Sequence, residues 1–186
     1  MKKRSLYSRS EMLDMNKETL ELRGINLDDI AEVAFNQQSK WSKDISYQDC
    51  MASVEKILSL RDTFHILQLG AEIDRLTEEN ALREPLRTIL HEDLGLFGVD
   101  ELFGLDIAGL YGTIGRTNFG DIDVNKPGIV GRLNEDGKGT SAACHTFMDD
   151  IVGAIAAAAS TRVAQVQKEN EAKKDPHYIE QTLDLD

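Results

Sequence analysis

The chain has 186 residues, enough for one substantial hydrophobic core. Its 33 acidic residues against 21 Lys and Arg give a formal net charge of -12, which argues against nucleic-acid binding, because phosphate contacts need a basic face. Cys50 and Cys144 are the only cysteines, far apart and without zinc-ligand spacing, a usage that suits a reducing compartment.

The opening Met1-Lys2-Lys3-Arg4 resembles the charged region of a signal peptide, but Ser8 to Lys17 are polar where an apolar segment is required. Ser10 to Gly24 reads as a first helix, with Met12, Met15, Leu20 and Leu22 loosely periodic and Gly24 as the stop. Asn26 is placed to cap a second helix carrying Ile30, Val33 and Ala34, with Trp41 expected to pack behind it. Ser46 with Asp49 forms a capping-box pattern, and Met51, Val54, Ile57 and Leu58 trace one face of a third helix. Phe64, Leu67, Ala71 and Leu76 support a fourth, to about Leu82, and Pro85 opens a short fifth that ends near His91. No stretch before residue 90 shows a sustained period of two, so an all-helical fold is expected, with residues 1–93 as scaffold.

Composition changes after Asp93: 11 of the 14 glycines lie between Gly95 and Gly139, where the backbone needs tight turns or close approach. Val99 to about Gly112 keeps a helical face through Leu102, Leu105 and Ala108, and the glycines within it call for a packing reason. Asn118 to Cys144 reads mostly as loop, with Pro127 inside it. Thr146, followed three residues later by Asp149, reads as the start of a central helix whose run Ile151–Ala159 is nearly free of polar side chains. That run is about half of the ~20 residues needed to cross a bilayer. A soluble, cytoplasmic chain is expected. Beyond Arg162 the sequence becomes charged and then trails into a mobile tail over 176–186.

Three acidic groups stand out in the glycine-rich half: Asp100-Glu101, Asp121 with Asp123, and Asp149-Asp150. Neighbours on a helix point about 100° apart, so each pair is expected to split its duties, one member facing a shared cation and the other capping or bridging. Magnesium suits such a set, because it takes oxygen ligands from one or two carboxylates together with a phosphate. On spacing alone, three solvated helix starts explain the same residues equally well. Arg116, Lys126 and Arg132 are the bases available to a phosphate, with Lys126 preferred and a surface ion pair favoured for Arg132. His145 is placed either to move a proton near neutral pH or to cap. Cys144 has Asp150 six residues on, where a cysteine phosphatase needs arginine, and there is no phosphate-binding Gly-rich loop or His-Glu-x-x-His zinc motif.

Val99-Asp100-Glu101-Leu102-Phe103-Gly104, then Phe119 with Asp123-x-x-Lys126-Pro127, then Asp149-Asp150-Ile151-Val152-Gly153-Ala154 resemble, in order, the motifs of the phosphatidylglycerophosphatase A family. The likeness is closest to its soluble Gram-positive branch, through Tyr111-Gly112-Thr113-Ile114-Gly115, Thr117-Asn118-Phe119-Gly120, Lys126-Pro127-Gly128-Ile129 and His145-Thr146-Phe147. The resemblance implies a magnesium-dependent phosphatase that converts phosphatidylglycerophosphate to phosphatidylglycerol and phosphate. It puts Asp100, Glu101, Asp123, Asp149 and Asp150 around the metal, gives catalytic roles to Asp149, Asp150, Lys126 and His145, and assigns substrate contacts to Lys126, Arg116 and Asn118. Where some members carry arginine after Phe119, this chain has Gly120.

The resulting expectation is one compact, all-α, multi-helix domain over residues 1–175, with a glycine-rich loop region near the site and the catalytic region in residues 94–165. The expected partners are a phospholipid phosphate and, transiently, the inner membrane surface, with no nucleic acid. Self-association is expected from the glycine- and alanine-lined helices. The alternatives are a magnesium-dependent hydrolase of a soluble phosphate ester or nucleotide and a non-catalytic oligomerising helical module.

Overall fold

The computed structural model describes residues 7–95, 97–136 and 142–174. The expected tail lies outside them. Among the described residues there is no strand, and the helices follow one another as α1 (Arg9–Leu22), α2 (Leu27–Ser39), α3 (Tyr47–Leu58), α4 (Arg61–Glu78), α5 (Leu86–His91), α6 (Val99–Gly109), α7 (Gly112–Asn125), α8 (Ile129–Asp136) and α9 (Met148–Ala172). The all-helical expectation is met.

Local signals explain most of the boundaries. Ser8 and Ser46 each close a capping box, with Glu11 and Asp49 respectively, and Gly24 ends α1 in the left-handed conformation. Asn26 stands at the head of α2 without a side-chain capping bond. α4 stops at Glu78, short of Leu82, because Asn80 turns left-handed just beyond it. Trp41 does not pack behind α2; it falls in the turn after the helix and is 78% exposed.

The stretch 118–144 departs most from expectation, since α7 continues to Asn125 and α8 occupies Ile129–Asp136. The glycines there serve close packing between helices more than loop formation. A Cβ on Gly104 would lie 2.4 Å from the Phe119 ring, and one on Gly115 would lie 2.2 Å from the Ala108 carbonyl oxygen. These contacts bind α6 and α7 side by side.

α9 is the axis of the molecule, packed against α2, α3, α4, α6, α7 and α8. Every residue from Met148 to Thr161 is buried, which is why small side chains fill this span. A helix start buried this deeply needs partners for its free N–H groups. Thr146 does not supply them, because its hydroxyl donates instead to the Leu90 carbonyl at 2.7 Å. The cap comes from Asp74 of α4, fully buried, whose carboxylate accepts from Phe147 N at 3.2 Å and Met148 N at 3.0 Å. Burial pushes the Asp74 carboxyl up, while these two amides pull the other way.

Two outcomes are expected in thermal denaturation. Asp74→Ala strands the α9 amides and costs about 3 kcal/mol, lowering Tm by roughly 6–12 °C. Gly115→Ala destabilises by about 1–3 kcal/mol through overpacking, although alanine is the better helix former; a gain in Tm would contradict the close contact with Ala108.

Candidate functional site

Three helix ends meet at one place: the start of α6, the end of α7 and the start of α9. Gly98, left-handed at φ 69°, turns the chain into α6 and sets Asp100 and Glu101 in its first turn. Lys126 ends α7, also left-handed at φ 42°, donating its N–H to the Ile122 carbonyl at 2.8 Å. Gly153 lies against Ile122 and Phe119, so α9 approaches α7 closely enough for the side chains of both ends to touch.

Lys126 Nζ donates to Asp123 Oδ1 at 2.7 Å and to Asp149 Oδ2 at 3.0 Å, and lies 3.7 Å from Asp150 Oδ1. Asp149 and Asp150 divide their duties as the helical offset requires. Asp149 faces Lys126, while Asp150 offers a carboxylate oxygen to a group with Asp100 and Glu101 in which the three ligand atoms lie within 4.8 Å of one another. Asp100, Asp149 and Asp150 are buried. The structure therefore brings together all five acids expected at the metal, together with Lys126.

The electrostatics follow from crowding. Burial, then the neighbouring Asp149 charge, pushes Asp150 up to about 9 against the pull of Lys126. Burial, then a hydrogen bond with Glu101, raises Asp100 to about 8. Asp149 reaches only about 6, because burial is opposed by the attraction and hydrogen bond of Lys126. Burial disfavours the Lys126 ammonium, but Asp149 and Asp123 outweigh it and raise its pKa overall. Glu101 Oε2 is buried without a hydrogen-bond partner. Repelling carboxylates from two helices with an orphaned oxygen among them fit a hard divalent cation. The group that could hold it is Asp100, Glu101 and Asp150, with Asp149 and Asp123 beside it on Lys126.

Other expected residues are not brought to this point. His145 Nδ1 lies 3.2 Å from Arg23 Nη2, and the charges acting on the ring are Arg23, Glu78, Asp136 and Arg132, none of them an acid of the cluster. Burial and then Arg23 lower its pKa, so the ring is neutral at pH 7. Asn118 donates to Ser160 Oγ and Thr161 Oγ1, about 15 Å further along α9 by helical rise. Arg116 lies over Gly109, about 12 Å beyond Glu101 along α6. Arg132 forms the expected surface pair, with Asp29 at 3.8 Å, and also donates to the Gly24 carbonyl.

Two acids escaped the sequence reading. Asp93, left-handed at φ 45°, adds its charge to Asp149, yet in the sequence it is only one turn residue among several. Asp74 carried a legible signal: it falls on the buried face of α4 with Leu67, Gly70, Ala71 and Thr77, where an acid demands a partner.

The family model for phosphatidylglycerophosphatase A matches residues 41–165, a span that contains every acid of the cluster. The uncharacterised YutG protein of Bacillus subtilis is 43% identical over 162 residues, covering 87% of this chain and 96% of its own length. The crystal structure of B. subtilis YpjQ superposes with a TM-score of 0.82 at 39% identity, covering 88% of this chain and 99% of the other. The low temperature requirement C protein of Listeria monocytogenes does so with a TM-score of 0.80 at 41% identity, covering 87% and 99%. On a family match across most of its length and on such relatives, the chain belongs to the phosphatidylglycerophosphatase A family.

Proposed function

We propose that this protein is a magnesium-dependent phosphatase that removes the terminal phosphate of phosphatidylglycerophosphate, working transiently at a membrane surface. The observation that carries the reading is the meeting of Asp100, Glu101 and Asp150 within 4.8 Å, next to a lysine already drawn between Asp123 and Asp149. Family membership supports the phosphate-ester class of substrate. Among the described residues no helix is long and apolar enough to cross a membrane, and docking at the surface is the access this reading assigns.

Asp100, Glu101 and Asp150 would hold the magnesium, and the chemistry it supplies when bound is Lewis-acid polarisation of a phosphoryl oxygen. Lys126 brings a positive charge held in place by two carboxylates, suited to offsetting charge on a transferring phosphoryl group. Asp149 titrates near neutrality, at about 6, so its carboxylate suits proton transfer at working pH. Its Oδ1 is oriented by the Asp150 amide at 2.9 Å, while its Oδ2 faces Lys126. His145 is left out of this role by its contact with Arg23.

Phosphate release from phosphatidylglycerophosphate, with and without magnesium, tests the reading. Asp150→Asn and Lys126→Met are each expected to lower turnover by about 10²–10⁴-fold with the helical circular dichroism intact. Undiminished turnover in both would overturn it.

A second prediction concerns protons. With Asp100 and Asp150 raised to about 8 and about 9, both are mostly protonated at pH 7, and cation binding has to displace those protons. Magnesium affinity should therefore rise with pH between about 6 and 9, with proton release visible as a dependence of calorimetric heat on buffer ionisation enthalpy. The metal-free chain shows the converse. Two acids titrating above their unfolded values near 4 mean that the native state holds more protons between pH 4 and 9, so stability falls as pH rises through that window. Magnesium offsets the loss. Affinity that is flat with pH would contradict the shared carboxylate group.

A further inference from the structure

We propose that the outer face of α6 is an interface between copies of this chain. α6 reads Val-Asp-Glu-Leu-Phe-Gly-Leu-Asp-Ile-Ala-Gly, apolar or glycine at eight of its eleven positions, more than one buried side requires. Here α4, α7 and α9 pack against it and one side stays open. Gly104, Ile107 and Ala108 face α7 and α9, while Val99, Leu102, Leu105 and Leu110 recur at helical spacing on the opposite side and are exposed, Leu102 by 60%. Single exposed apolar residues need no explanation, but three on one helix continued by Leu110 at its cap do.

A second copy is the occupant the face fits. The four side chains leave on the order of 300 Å² of apolar surface open per copy, the size of a functional patch. Paired across a two-fold axis at the usual apolar share of about 60%, that patch corresponds to an interface of roughly 1,000 Å², the lower bound for a specific contact. Charge points the same way. A chain with a net charge of -12 meets its copies with least repulsion at a charge-poor face, and among the described residues α6 and α7 expose one acid and one base. These are Asp106, exposed between the leucines, and Arg116, whose guanidinium lies over Gly109. Neither has an ion-pair partner within the described residues. A two-fold contact sets the Asp106 of each copy toward the Arg116 of the other, completing two pairs. A lipid surface fits less well, because anionic headgroups call for a rim of several cations, and among the described residues Arg116 is the one exposed base of α6 and α7.

The test is sedimentation of the full chain at about 50 μM, independent of any activity. The wild type is expected at a multiple of its 20.7 kDa mass. Leu102→Glu and Leu105→Glu should fall to the monomer mass with helical circular dichroism unchanged, whereas Leu22→Glu, at the 81% exposed end of α1, should remain assembled. Asp106→Arg should weaken association about tenfold or more, and the double exchange Asp106→Arg with Arg116→Asp should restore it. A monomeric wild type, or a Leu102→Glu variant assembled like the wild type, would overturn the proposal. So would a wild type that is monomeric in solution but is retained on phosphatidylcholine vesicles through Leu102, which would give the face to lipid.

Discussion

The rest of the structure depends on burying the first turn of α9. That turn brings unpaired backbone amides and two carboxylates into the dry centre of a helical protein, where each polar group needs a partner. The amides are met by Asp74 and the Asp149 carboxylate by Lys126, so one turn of helix dictates the identity of residues on α4 and at the end of α7. Asp150 is different. Its neighbours in the carboxylate group are two more acids, Lys126 at 3.7 Å offsets only part of the repulsion, and protons or a cation relieve the rest.

Bringing five acids from three helices to one place demands a fixed register, and the small residues provide it. Gly104 admits the Phe119 ring, Gly115 admits the Ala108 carbonyl, and Gly153 admits Ile122. Larger residues would drive these helices apart and separate Asp100 from Asp150. The run of alanines in α9 serves the same purpose, since a central helix with six neighbours can be approached closely only where its side chains are short. The same economy leaves α6 with more apolar surface than the monomer can cover.

Much of this was legible in the sequence because its signals are local. Capping boxes at Ser8 and Ser46, the stop at Gly24 and the 3.6-residue recurrence in α3 and α4 each depend on residues a few positions apart. The six charged residues that meet at the site were named in advance by their chemical type and motif order, though their meeting is a tertiary fact that spacing alone could not supply. What was missed was nonlocal. Glycine density suggests loop, but Gly115 and Gly131 lie in helices and are small because a carbonyl presses on them. Thr146 has the spacing of a cap, yet a carboxylate from another helix takes the position first. Asn118 belongs to a family phrase, but its amide is engaged by Ser160 and Thr161, a structural duty that a motif does not distinguish from a catalytic one.

Charge balance gives the proposed reading its strictest physical condition. Asp123, Asp149 and Asp150 share one lysine, Asp100 and Glu101 stand beside Asp150, and Asp93 adds a further negative field at Asp149. A phosphate monoester brings up to two more negative charges to the same place. Arg23 is committed to Glu78 and the Cys144 carbonyl and Arg132 to Gly24 and Asp29, while Arg116 lies over Gly109, well along α6 from the acids. Protonation can silence Asp100 and Asp150 near neutrality, but it adds no positive charge to meet an incoming phosphate. Under that reading, positive charge from outside the polypeptide is a requirement of substrate approach itself, before any bond is broken, and an ion held between α6 and α9 is the form in which these oxygens can accept it.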